Sequence, residues 1–94
     1  PSVDRDIALV VPETVGAGEL LVAIDNADEA LVESVEIFDV YRGDSVGAGK
    51  KSVAVTLTYR SVEQTLDDNT VNMVHQRLIE MLEKDFQGKL REAV

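Results

Sequence analysis

Cysteine and tryptophan are absent from this chain, aromatic side chains make up only 4% of it, and acids outnumber basic residues two to one. Without cysteine there are no disulfides and no thiolate metal sites, which fits a cytosolic protein. Nine Lys and Arg against 18 Asp and Glu leave a formal charge of −9. Non-specific nucleic-acid binding needs many cations to neutralise phosphates, so this balance excludes a general RNA or DNA binder. Contact with RNA would need a local basic patch, or a larger and better-charged assembly around the domain. No apolar run approaches the roughly 20 residues of a membrane span, and the longest, Ile7 to Val11, suits a buried strand. There is no initiator Met, signal peptide or targeting tail; the chain opens on Pro1 and runs straight into a strand pattern. Residues 1–94 therefore read as one domain cut from a longer polypeptide, with a cytoplasmic location and no membrane association.

What is present is enough apolar content, 45%, for a globular core. Periodicity divides the chain into six elements. Arg5 to Val11 reads as a strand with Ile7, Leu9 and Val11 on one face. Val15 to Ala27 reads as a helix with Leu20 and Ile24 inward, Gly16 as N-cap and Glu19 at the capping-box position. Leu31 to Arg42 reads as a long strand with Val35, Ile37 and Tyr41 on one face and Glu36, Phe38, Val40 and Arg42 on the other. A glycine-rich hairpin loop, Gly43 to Gly49, leads into a strand from Lys51 to Arg60 whose Val53, Val55, Leu57 and Tyr59 share a face. Thr65-Leu-Asp-Asp68 has the spacing of a helix start, Val71, Val74, Leu78, Met81 and Leu82 form its apolar stripe, and Gly88 is its stop. Residues 89–94 leave room for a last short strand. The order βαββαβ predicts an α+β, ferredoxin-like fold: a four-stranded antiparallel sheet with two helices on one face. The predicted core is Ile7, Leu9, Val11, Leu20, Ile24, Val35, Ile37, Val53, Val55, Leu57, Val74, Leu78 and Leu82. The other face, with Ala8, Phe38, Val40, Ala54 and Thr56, is left open.

No catalytic constellation can be assembled from these residues. His75 is the only imidazole, mid-helix at the edge of the apolar stripe, and no oriented partner for it is evident. Gly49-Lys-Lys-Ser52 has a superficial likeness to a phosphate loop, but the motif would put its first glycine at Asp44, and a strand rather than a helix follows. Asp67 and Asp68 at a helix start answer the unpaired N–H groups and the helix dipole, so no metal site is expected.

Phe38 is the residue that a purely structural account leaves over. In the unbroken register its ring points away from the helices among Ala8 and Ala54, where aromatic side chains can stack unpaired RNA bases. Arg42, Lys50, Lys51 and Arg60 cluster near the second and third strands and Arg5 opens the first, so phosphate contacts could surround such a platform. A bulge near Asp39 would instead flip the register and bury Phe38, and packing against a neighbouring domain would also account for an exposed ring.

Several short motifs, in order along nearly the whole chain, resemble one family. Pro1-Ser-Val-Asp-Arg-Asp6, Phe38-Asp-Val-Tyr-Arg-Gly43, Gly49-Lys-Lys-Ser52, Leu57-Thr-Tyr-Arg60 and Thr65-Leu-Asp-Asp68 are similar to successive signatures of the anticodon-binding domain at the C-terminus of the phenylalanyl-tRNA synthetase β chain. The resemblance implies a ferredoxin-like fold and contact with the anticodon region of tRNA(Phe). It implies a parent enzyme that joins phenylalanine to tRNA with ATP and magnesium, assembled from two α and two β chains, with catalysis in the α chain and no cofactor in this domain. It also implies Arg5, Phe38, Tyr41, Arg42, Lys50, Lys51, Ser52 and Arg60 as RNA-contact positions: Phe38 stacking, the cations holding phosphates, Ser52 offering a hydrogen bond. Gln64 stands where the family often has Arg, which removes one phosphate contact, and Gly16 stands for a commoner Thr cap. Two other readings compete. A metabolite-sensing domain of the same fold would need a ligand pocket at the helix–loop junctions. An acylphosphatase-type enzyme would need an Arg after the first strand, where Pro12-Glu-Thr-Val-Gly16 has no cation.

Overall fold

Apolar residues spaced to share one buried face are realised in three ten-residue strands, β1 (Val3–Pro12), β2 (Val32–Tyr41) and β3 (Lys50–Tyr59), with a two-residue β4 (Lys89–Leu90). The 3.6-residue stripes become α1 (Ala17–Asn26) and α2 (Asp68–Phe86). The structure, a computed structural model, describes residues 1–91. Residues 92–94, the rest of the expected last strand, lie outside the described residues.

The elements follow the expected βαββαβ order, and the sheet runs β2-β3-β1-β4 with every pair antiparallel. One core cluster joins Ile7, Leu9 and Val11 of β1, Val53, Val55, Leu57 and Tyr59 of β3, Leu20 and Ile24 of α1, and Val71, Val74, Leu78, Ile79 and Leu82 of α2. Both helices therefore cover the same sheet face, the ferredoxin-like arrangement. Val35 and Ile37, expected in the core, are only partly buried because β2 is an edge strand.

Helix ends differ slightly from the sequence reading. α1 starts at Ala17 rather than Val15, with Gly16 as N-cap and its N–H donating to Glu19 Oε2 at 2.6 Å. Only that half of a capping box exists, since glycine has no side chain to return the bond. α2 is capped by Asp67 rather than Thr65, because the Asp67 carboxylate accepts from the Thr70 N–H at 2.8 Å. At the other end Gln87 takes the left-handed conformation (φ 54°), and Gly88 follows it, its N–H donating to Glu83 O at 3.0 Å.

The consequential departure lies in β2. Ile37 pairs with Val55 and Asp39 with Ala54, so Phe38 is the extra residue of a β-bulge. Beyond it the faces exchange: Val40 now stands opposite the core residue Val53, and Tyr41 opposite Ser52. Val40 thus leaves the open face to which sequence alternation assigned it, and Tyr41 joins that face. The bulge does not bury Phe38, which keeps 58% of its surface exposed.

Candidate nucleic-acid interface

The face opposite the helices is divided along the strands. Toward the Val3 end, Asp4 accepts from Thr58 Oγ1 at 2.9 Å and Asp6 from Thr56 Oγ1 at 2.7 Å, with Glu36 and Ser34 beside them on β2. This half is hydroxyl-lined and acidic, and it repels phosphate. Toward the hairpin, the cross-strand neighbours are small, Ala8 and Ala54, and beside them stand Phe38, Tyr41 and the exposed Asp39, which the bulge places opposite Ala54.

Tyr41 is held in place from two sides. Its phenol lies directly against the Gly43 backbone, where a Cβ would collide with it. The Arg91 guanidinium sits 4.9 Å from its ring centroid, a cation–π contact, and reaches Ser45 Oγ at 3.3 Å. Arg91 gets there because its N–H continues the β1 pairing, donating to Ala8 O at 2.8 Å. The glycine of the Tyr41-Arg-Gly43 segment thus has a packing role: it lets the hydroxyl end of the Tyr41 ring lie against the start of the loop.

The eight sequence-predicted positions do not all converge. Phe38, Tyr41 and Ser52 lie on one face at the hairpin end, with exposed Lys50 and Arg42 at its rim. Ser52 is only 2% exposed between Tyr41 and Val10, so a ligand reaches its hydroxyl only if a neighbour gives way. Arg42 is committed to Glu13, donating from Nε at 2.9 and 3.0 Å and from Nη2 at 2.6 Å. Lys51 has the alternation parity of Val53; it is 6% exposed, with Nζ donating to Glu13 O at 3.2 Å. Arg5 has the parity of Ile7 and Leu9, which puts it on the helix side of the sheet, away from Phe38. Arg60 is paired with Glu33 at 2.9 Å at the opposite end of β3, roughly 30 Å of extended strand from Lys50. For Arg5 and Lys51 the signal was already in the period-2 pattern. Arg91, which sequence reasoning passed over, could only be found through the pairing of β4 with β1.

His75 lies on the far side of the sheet, its Nδ1 2.8 Å from the Tyr59 hydroxyl. Among the described residues no group of three His, Asp or Glu side chains is arranged to hold a metal ion.

A family model described as the ferredoxin-fold anticodon binding domain matches residues 1–91. The chain belongs to this family. Its relatives are beta subunits of phenylalanine–tRNA ligase. That of Geobacillus kaustophilus is 52% identical over 91 residues, covering 97% of this chain and 11% of the relative. That of Desulfotalea psychrophila is 45% identical over 93 residues, 99% of this chain and 11% of the relative. That of Methylococcus capsulatus is 46% identical over 92 residues, 98% of this chain and 12% of the relative. The chain thus spans about a ninth of the length of the relatives it matches. The hairpin end of the open face thus carries the exposed Phe38 and Tyr41 rings, small neighbours, the Asp39 carboxylate, and Lys50 and Arg42 at its rim.

Proposed function

We propose that this domain reads the anticodon region of tRNA(Phe) as part of a phenylalanine–tRNA ligase β subunit. The parent enzyme attaches phenylalanine to tRNA with ATP and magnesium in the cytoplasm, with catalysis outside these 94 residues. Its partners are the remaining β-chain domains and the α chain, in an assembly of two α and two β chains. The observation that carries this reading is the bulge at Phe38, which leaves one large ring exposed near Ala8 and Ala54, beside a Tyr41 already stacked with a cation and with Asp39 as the one acid next to Phe38 on the strand. One or two unpaired bases stack on these rings, and Arg42, Lys50 and Arg91 take the flanking phosphates. Asp4, Asp6 and Glu36 limit the footprint to the hairpin end, where Asp39 is the acid that the neighbouring cations must offset. Arg5, Lys51 and Arg60 support the fold rather than the RNA.

The test is Phe38→Ala in the assembled ligase. Loss of one stacked base at about 1–3 kcal/mol raises the KM for tRNA by about 5- to 150-fold, with a smaller effect on kcat. Unchanged tRNA kinetics in that variant remove Phe38 from the interface.

A further inference from the structure

Glu13, at the turn from β1 toward α1, contacts the β2–β3 hairpin in three ways. Its N–H donates to Gly49 O at 2.8 Å, its carbonyl accepts from Lys51 Nζ at 3.2 Å, and its carboxylate takes the Arg42 guanidinium in a fork. A two-oxygen acceptor facing Nε and Nη2 is also the geometry in which arginine holds a phosphate. The bond to Arg42 keeps the Glu13 carboxyl below the usual carboxylate range, so it is ionised at neutral pH.

The pair sits at the mouth of a cleft of about 540 Å³, lined also by Asp44, Gly47, Gly49 and Lys50. Both side chains remain about half exposed, at 56% for Arg42 and 45% for Glu13. A pair so open to water is weakly held and readily exchanged. Arg60 and Arg77 are occupied in the same way, by Glu33 and Glu29. In the free domain, therefore, the cation nearest Tyr41 in sequence is already neutralised by an acid of its own chain.

We infer that Glu13 is an internal stand-in for an RNA phosphate, which occupies Arg42 in the free domain and releases it only to a strand already anchored on the stacking face. The inference rests on the anticodon-reading function proposed above and names the residue that sets its selectivity. An RNA that merely collides must displace Glu13 from bulk concentration. An RNA whose base is stacked on Phe38 or Tyr41 presents its phosphate at high effective concentration and wins the exchange. Glu13 thereby suppresses phosphate-only binding while leaving the anchored complex accessible.

The experiment compares the assembled ligase with its Glu13→Gln, Glu13→Asp, Arg42→Gln, Glu13→Gln/Arg42→Gln, Asp44→Asn and Phe38→Ala forms. Binding of tRNA(Phe) and of a tRNA with an unrelated anticodon is measured over a KCl series, and thermal melts check the fold. Glu13→Gln should tighten the unrelated tRNA by about two- to fivefold, the range of one exposed ion pair. Its salt slope should steepen by about 0.7, one added phosphate contact to a single strand. Glu13→Asp, which withdraws the carboxylate by one methylene, should move affinity in the same direction. The gain should vanish in the Arg42→Gln background and exceed that of Asp44→Asn, which removes equal charge from the same mouth. Weaker or unchanged binding by Glu13→Gln overturns the inference, as does a gain that survives Arg42→Gln or is matched by Asp44→Asn. Where Phe38→Ala weakens tRNA(Phe) binding but Glu13→Gln changes nothing, only the stand-in role falls. Where Phe38→Ala also changes nothing, the RNA-face reading fails and the inference with it.

Discussion

The Tyr59 hydroxyl and His75 Nδ1 lie 2.8 Å apart, with the two rings edge to face at 77° and their centroids separated by 5.8 Å. This bond ties the end of β3 to the middle of α2 on the helix side of the sheet. It survives either imidazole tautomer, because a phenol both donates and accepts. Tyr59 is fully buried, and burial pushes its hydroxyl up to about 12, opposed by Arg5 and aided by Glu29. Burial and then the Arg5 charge push His75 below its ordinary value.

These shifts give stability a defined pH window. The folded state holds His75 neutral while the unfolded chain takes up a proton first on acidification. The His75 contribution is therefore present above about pH 6.5 and is lost as pH falls through the lower folded value. Tyr59 acts with the opposite sign: its contribution is present below about pH 10 and is lost as pH rises through about 12. Melting temperature should fall between about pH 7.5 and pH 5, and His75→Gln should flatten that slope by less than one proton. An identical slope in wild type and variant would mean that His75 titrates alike in folded and unfolded chains.

Gly43→Ala tests the seat of Tyr41. The added methyl would run into the phenol, while the Gly43 backbone itself needs no left-handed conformation. The fold should survive, the Tyr41 ring resonances should shift in NMR spectra, and tRNA affinity should fall about as far as in Tyr41→Ala. Unshifted Tyr41 resonances would show that the ring does not depend on that glycine.

Two other glycines should respond in opposite directions. A Cβ on Gly88 would stand 2.9 Å from Leu9 Cδ2 and 3.4 Å from Leu82 O, in the packed junction of α2, β4 and β1. Gly88→Ala should cost about 1–3 kcal/mol, as overpacking does. A Cβ on Gly18, in the first turn of α1, meets nothing within 4 Å. Gly18→Ala should stabilise by about 0.5–1 kcal/mol through helix propensity and a less flexible unfolded chain. Denaturant midpoints of the two variants read both signs; a neutral Gly88→Ala would mean that Leu9 repacks without cost.

Element order and core were legible because they depend on repeated signals. Ile7, Leu9 and Val11, or Val53, Val55 and Leu57, state the same face several times over. The candidate site depends on single events that carry no repetition. One inserted residue, Phe38, exchanges the faces of Val40 and Tyr41; a bulge near Asp39 could be named from the sequence, but alternation alone does not choose between it and the unbroken register. The commitment of Arg42 to Glu13 joins positions 29 residues apart, and the stacking of Arg91 on Tyr41 joins β4 to β2 across the sheet. Such contacts are consequences of the assembled sheet, so no local pattern could announce them.

Arg91 separates charge from shape at the stacking face. Its guanidinium lies over Tyr41 and its side chain also reaches Ser45, so it can serve RNA directly or serve only by steadying the ring. Arg91→Ala removes both the cation and its planar surface; tRNA affinity should fall by at least about two- to fivefold, the worth of one exposed cation–π contact. Arg91→Lys keeps the charge but not the planar, delocalised face. If the cation meets phosphate, the lysine variant retains the wild-type salt slope while Arg91→Ala loses about 0.7 of it. If Arg91 only steadies the ring, both variants keep the wild-type slope and lose affinity together, and the phosphate contact assigned to Arg91 is withdrawn.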